Sequence, residues 1–169
     1  MLTLVFLTWH AAYVVADDKQ GGLSTISHVG FLEEKAKSGD IKTQLRLCTM
    51  YRDGQGVPRN SQKSFYWFLQ AANKGNVPAQ LRVPKMLERG VGTNENKAAA
   101  FIWFSKAAKS GNNDALTNVG KMHQFGIGTQ IDLQKAFRSY LRAAEQNQSE
   151  AQFHVAQMLY KGLGINKDM

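Results

Sequence analysis

A single cysteine, Cys48, stands among the 169 residues. No disulfide can close within the chain, and cysteine usage carries no signal about the redox compartment. Acidic residues are outnumbered: 13 Asp plus Glu face 21 Lys plus Arg, and the formal charge of +8 favours acidic partners or surfaces. Catalytic signatures are missing as well. The chain contains no H-E-x-x-H, no S-x-x-K and no G-x-S-x-G, so the chemistries built on those spacings have no foothold. A hydrolase is left as a distant third reading, and no cofactor or metal is implied. A hydrophobic content of 43% with 20% charged residues is ordinary for a folded protein, which excludes disorder as the default state.

The N-terminal stretch lacks charge. Residues 2–16 (LTLVFLTWHAAYVVA) hold no acidic or basic side chain beyond His10. Their length is short of the about 20 residues that a membrane-spanning helix needs, and it suits the apolar region of a secretory signal. Val14-Val15-Ala16 before Asp17-Asp18 offers a cleavage site, which would place the protein in the periplasm or secretory pathway. Against this, no Lys or Arg stands near Met1, and Trp9 and His10 interrupt the run. The alternative is an apolar helix packed on the rest of the chain, in a cytoplasmic protein.

What the sequence has in abundance is self-similarity. Gly54, Gly90, Gly126 and Gly162 are spaced by 36 residues, and Gly56, Gly92, Gly128 and Gly164 repeat the same interval. Met50, Met86, Met122 and Met158 keep this phase, as do Ala71-Ala72, Ala107-Ala108 and Ala143-Ala144. Phe65, Phe101 and Phe137 follow it, and so do Gln44, Gln80 and Gln152. A fixed period of this size marks a stacked array of one supersecondary unit. Each unit reads as two helices. Phe65, Phe68, Leu69 and Ala72 fall at i, i+3, i+4 and i+7, an apolar stripe at helical spacing. Asn60, Asn96, Asp132 and Asp168 precede these second helices as N-caps, with no reciprocal capping box. Gly75 and Gly111 close them. The following first helix runs from about residue 77 to 89 and stops at Gly90. The G-x-G is thus helix punctuation. A phosphate-binding loop would need a preceding strand and a further glycine or Lys-Ser/Thr, and Gly90-Val91-Gly92-Thr93-Asn94-Glu95 supplies neither.

The pattern Ala79-Gln80, Met86, Gly90-Val91-Gly92, Asn96, Trp103-Phe104, Lys106-Ala107-Ala108 and Gly111-Asn112 resembles the Sel1-like repeat, a relative of the tetratricopeptide repeats. The resemblance covers residues 39–169 and extends weakly into Phe31, Leu32, Ala36 and Gly39. It implies an all-α fold, a right-handed α-solenoid of helix-turn-helix repeats (a tetratricopeptide-like superhelix) with first helices on the concave side. It also implies an adaptor or scaffold role. Some family members are cysteine-rich and linked to β-lactam hydrolysis, but this chain lacks their cysteine pairs. The expected organisation is a signal at 1–16, a lead-in helix from a degraded half repeat at 17–38, and repeats at 39–74, 75–110 and 111–146. A partial repeat at 147–169 has a first helix only, so a longer array, a partner or self-association would cover that end.

Departures from the pattern carry expectations of their own. Pro84 replaces the small residues Cys48, Gly120 and Ala156, which predicts a bent or broken helix. Ser139 replaces Trp67 and Trp103, which predicts a poorly filled interface in the third unit. His123 is expected to be packed and hydrogen-bonded, and His154 to face outwards, so the two do not suggest a metal site. The aromatic residues of the second helices read as core, which argues against nucleic-acid binding. Asn147-Gln148-Ser149 is a glycosylation sequon in a loop. The candidate partner site is a basic stripe at turn spacing on the first helices: Lys42, Arg46, Arg82, Lys85, Arg89, Asn118 and Lys121, continued by Glu150, His154 and Gln157. It points to an acidic protein or peptide segment held in the groove.

Overall fold

The computed structural model describes residues 23–164, so the signal region and the cap expected at Asp168 lie outside the described residues. Among the described residues there are eight α-helices and no strand. They are α1 (Leu23–Lys37), α2 (Ile41–Asp53), α3 (Ser61–Asn73), α4 (Val77–Arg89), α5 (Lys97–Lys109), α6 (Asn113–Phe125), α7 (Leu133–Ala144) and α8 (Ser149–Lys161). Every substantial helix contact joins neighbours in sequence, which is the quasi-one-dimensional packing of a repeat array. Unit 1 comprises α2 and α3, unit 2 α4 and α5, and unit 3 α6 and α7, while α8 begins unit 4. Helix α1 holds the phase of a second helix.

The punctuation follows from side-chain chemistry. Asn60, Asn96 and Asp132 each accept a hydrogen bond from the amide three residues on, at 2.9, 2.8 and 2.9 Å, as the sequence predicts. The first helices α2, α4 and α6 are capped too, which the sequence pattern had not suggested, while α8 has no side-chain cap. Asp40, Asn76 and Asn112 accept from the amides of Thr43, Ala79 and Ala115 at 2.6, 3.0 and 2.8 Å. Each first helix ends on a left-handed glycine, Gly54, Gly90, Gly126 or Gly162, with φ between 64° and 77°.

The second glycine of the triplet has a further reason to be glycine. A Cβ on Gly92 would fall 2.0 Å from the Ser61 carbonyl oxygen, and one on Gly128 would fall 2.1 Å from that of Lys97. The loop of each unit therefore rests directly on the start of the preceding unit's second helix. The phase-locked glutamines act at the other end of the stack. Gln44, Gln80 and Gln152 each donate through Nε2 to the carbonyl of Ala36, Ala72 or Ala144, which ends the helix before. These contacts satisfy orphan helix-end groups and fix one unit on the next.

Helix α4 runs through Pro84 without a break, and its 13 residues equal the lengths of α2 and α6. Of the bent or broken helix expected there, the break is corrected. The proline is fully buried, at the position where Gly120 lies under the Tyr140 ring of the facing helix. Packing on both sides of α4 holds the turn that the missing amide cannot.

The core is continuous from Val29 to Ala151, with a smaller cluster of Ala136, Tyr140 and Met158 at the end. Trp67 and Phe104 are buried, and Phe65, Phe101 and Phe137 are partly buried against these clusters. No helix among the described residues is long and apolar enough to cross a membrane.

Candidate functional site

The turn spacing of α4 places Arg82, Lys85 and Arg89 on one exposed face. None of the three cations has a hydrogen-bond or ion-pair partner among the described residues. Together they form one wall of a pocket of about 130 Å³, whose floor is apolar, made by Phe68, Met86 and Val91. A fourth cation, Arg52 at the end of α2, completes the rim. Arg52 lies outside the stripe expected from the sequence.

Among the described residues no carboxylate lines this pocket. Arg52 donates to both oxygens of Asp53, at 2.7 and 2.6 Å, and is neutralised by it. The Arg52 contact holds the Asp53 carboxyl below the usual carboxylate range, with Arg59 and Arg82 adding to the effect. Glu88 is the sole acid of α4. Burial pushes its carboxyl above the ordinary value, against the pull of Arg89 and Lys85. Ser64 lines the pocket but donates its hydroxyl to the Cys48 carbonyl at 3.0 Å. The charged groups lining the site are all cationic among the described residues.

The rest of the expected stripe is differently engaged. Lys42 is exposed, and Arg46 is exposed with its guanidinium 3.5 Å from His28 Nε2. Asn118 turns back to donate to the Asp114 carbonyl at 2.7 Å. Lys121 pairs with Glu150 of the next unit at 2.5 Å, and this contact lowers the Glu150 carboxyl below its usual range. The structure thus brings Arg82, Lys85 and Arg89 together around one pocket, while Asn118 is tied back within its own helix and Lys121 to the next unit.

Two histidine expectations need correction. His154 does not simply face outwards: its ring stacks on Tyr140 at 4.5 Å with an interplanar angle of 16°. Burial, aided by Lys121, lowers its pKa. His123 is packed, 9% exposed, against the edge of Phe101, but its Nδ1 has no hydrogen-bond partner among the described residues. Cys48 is fully buried, and burial raises its thiol to about 12. Such a thiol is inert.

Helix pairs in phase, sequential packing and glycine-punctuated loops define an α-solenoid repeat protein. The Sel1 repeat model matches residues 41–76, 77–112, 113–148 and 149–169, and the chain belongs to the Sel1 repeat family. No curated protein matches it. Among solved structures, a protective antigen present in uropathogenic Escherichia coli strains and displaying an SLR fold is 31% identical, with a TM-score of 0.73. The match covers 82% of this chain and 30% of that one. A Sel1 repeat protein from Oxalobacter formigenes is 28% identical with a TM-score of 0.76, over 86% of this chain and 59% of that one. Cysteine-rich protein B of Helicobacter pylori shares the fold at 14% identity and a TM-score of 0.53, covering 77% of this chain and 93% of its own. Sel1 repeat proteins generally mediate protein–protein interaction and are typically non-enzymatic.

Proposed function

We propose that this array is a non-enzymatic adaptor that holds an acidic protein or peptide segment on the face of its first helices, the concave side of the superhelix. The observation that carries this reading is the pocket beside α4. Three cations without hydrogen-bond or ion-pair partners among the described residues border an apolar floor, and none of those residues lining the cavity is an acid. Its volume of about 130 Å³ approaches the roughly 150 Å³ known to admit a benzene ring. An apolar anchor side chain flanked by Asp or Glu fits this chemistry. Cations at such a rim direct association far more than they hold the fold.

The test is charge reversal of Arg82, Lys85 and Arg89 to Glu, with a fluorescent peptide alternating Glu and Leu as probe. Polarisation should show the affinity falling at least about tenfold, while circular dichroism shows the same helicity. Unchanged affinity at low salt with the fold intact would show that the pocket does not bind the segment.

A second reading, an envelope or secreted accessory protein acting through its last repeat face, draws on α8. Phe153, Leu159 and Tyr160 there are 65, 52 and 91% exposed. The same exposure favours self-association through that face. Both location and secretion depend on the leader. Expressed with its native N-terminus in a secreting host, the protein should be cut near Ala16 and leave the cytoplasm. A cytoplasmic product that retains Leu2 by mass spectrometry would overturn this.

A further inference from the structure

The repeat supplies its own control for what a given position normally holds. In the second helix of units 1 and 2, one position carries an indole: Trp67, 3% exposed, and Trp103, partly buried. Lys106 stands a turn further on, with Nζ 5.6 Å from the centre of the Trp103 ring. In unit 3 the same two positions hold Ser139 and Arg142. The cation is retained and the ring is gone.

The space is a hollow of about 320 Å³, lined by His123, Lys135, Arg138, Ser139 and Arg142. This volume is at the low end of the roughly 300–1,000 Å³ of small-ligand sites. Lys135, Arg138, Ser139 and Arg142 fall at i, i+3, i+4 and i+7, so one face of α7 presents three cations. In unit 2 the corresponding positions are Ala99, Ile102, Trp103 and Lys106, a largely apolar face. Lys135 is paired with Asp132 at 2.9 Å. Arg138 makes one long bond, from Nε to the Gln134 carbonyl at 3.4 Å. The Arg142 guanidinium has no partner among the described residues. Ser139 donates its hydroxyl back to the Lys135 carbonyl at 2.8 Å, so it offers no strong donor to the hollow. His123 forms the inner wall.

We infer that this hollow is a binding site for an aromatic ring bearing a carboxylate. The ring takes the volume that an indole fills in units 1 and 2. Arg142 lies along its face as Lys106 lies along Trp103, since a guanidinium favours both the ring quadrupole and an anion. Arg138 at the rim receives the carboxylate. The site shares no residue with the pocket beside α4, so it stands independently of the adaptor reading.

The experiment uses the full chain and three probes: N-acetyl-tryptophan, its neutral amide, and a capped Glu-Trp-Glu peptide. Amide NMR shifts on titration should saturate for the two anionic probes and cluster at His123 and Lys135 to Arg142. Ser139→Trp fills the hollow from within; it should abolish binding of both and raise the melting temperature. The double variant Arg138→Gln, Arg142→Gln should weaken both anionic probes about tenfold, as loss of charge-assisted contacts at an exposed rim would, and leave the amide unchanged. Tighter binding of the peptide identifies a protein segment as the source of the ring, and tighter binding of the free acid identifies a small aromatic acid; either supports the site. The inference is overturned if neither anionic probe saturates, if the amide binds as well as the acid, or if Ser139→Trp binds like the native chain. Should that variant fail to fold, the arginine double variant decides.

Discussion

Two helical glycines show how much a single methyl group weighs in this array, and in which direction. A Cβ on Gly120 would lie 2.7 Å from the ring of Tyr140. That ring is fully buried and is held by its hydroxyl, which donates to Gln124 at 2.8 Å. It cannot swing aside cheaply. Overpacking of this kind costs about 1–3 kcal/mol, while replacing a helical glycine by alanine returns about 1 kcal/mol of propensity. Gly120→Ala should therefore destabilise, by roughly 1 kcal/mol. Gly30, inside α1, has none of the described residues within 4 Å of an added Cβ. Gly30→Ala should stabilise by about 0.5–1 kcal/mol. Thermal melts of the two variants should move in opposite directions, and a shared sign would show that the α6–α7 contact is looser than described. Sequence alone shows that the Gly120 position is always small except at Pro84. That a phenol ring sits on it depends on Tyr140, which takes the place of Phe68 and Phe104.

At the scale of helices, what was legible is what depends on the backbone, and what was not depends on a neighbour. The end of α4 at Arg89 and the caps at Asn60, Asn96 and Asp132 could be read directly, because a cap acts within three residues of itself. The glutamine at 44, 80 and 152 was visible as a period but not as a contact, since its acceptor lies eight residues back on another helix. Lys121 belongs to the basic stripe by its spacing, but the ion pair it makes depends on Glu150 of the next unit. The hollow beside Ser139 was half legible: the missing indole was evident, but the convergence of His123 and Arg142 was not. At Pro84 a local rule predicts a bend or a break, and of the two the break is absent, since α4 continues to Arg89. The helix still lacks an amide to serve the Gln80 carbonyl. Pro84→Ala restores that donor, worth up to about 3 kcal/mol of helix propensity, and loses two buried methylenes at about 0.8 kcal/mol each. A net gain on the order of 1 kcal/mol should raise the melting temperature by about 2–4 °C. An unchanged or lower temperature would mean that the ring's packing outweighs the missing bond.

For the molecule as a whole, sequential packing makes stability a sum over neighbours. The interior helices α2 to α7 each contact two others, whereas α1 and α8 each make substantial contact with one among the described residues. One phase of the first helices shows the consequence. Tyr51, Leu87 and His123 are 5, 7 and 9% exposed, but Leu159, which follows them at the same interval, is 52% exposed. Protection from hydrogen exchange should accordingly peak in α4 to α6 and fall towards both ends, with α8 among the least protected helices. Truncation should follow the same order. Leu87→Ala removes a buried side chain and should cost about 2–5 kcal/mol. Leu159→Ala removes a half-exposed one and should cost less than about 1 kcal/mol. Mass-spectrometric exchange on the intact chain, with denaturant melts of the two variants, measures both. If α8 is protected as well as α4, or if the two leucines cost the same, the last first helix is covered in solution. Sedimentation would then show whether a second copy covers it.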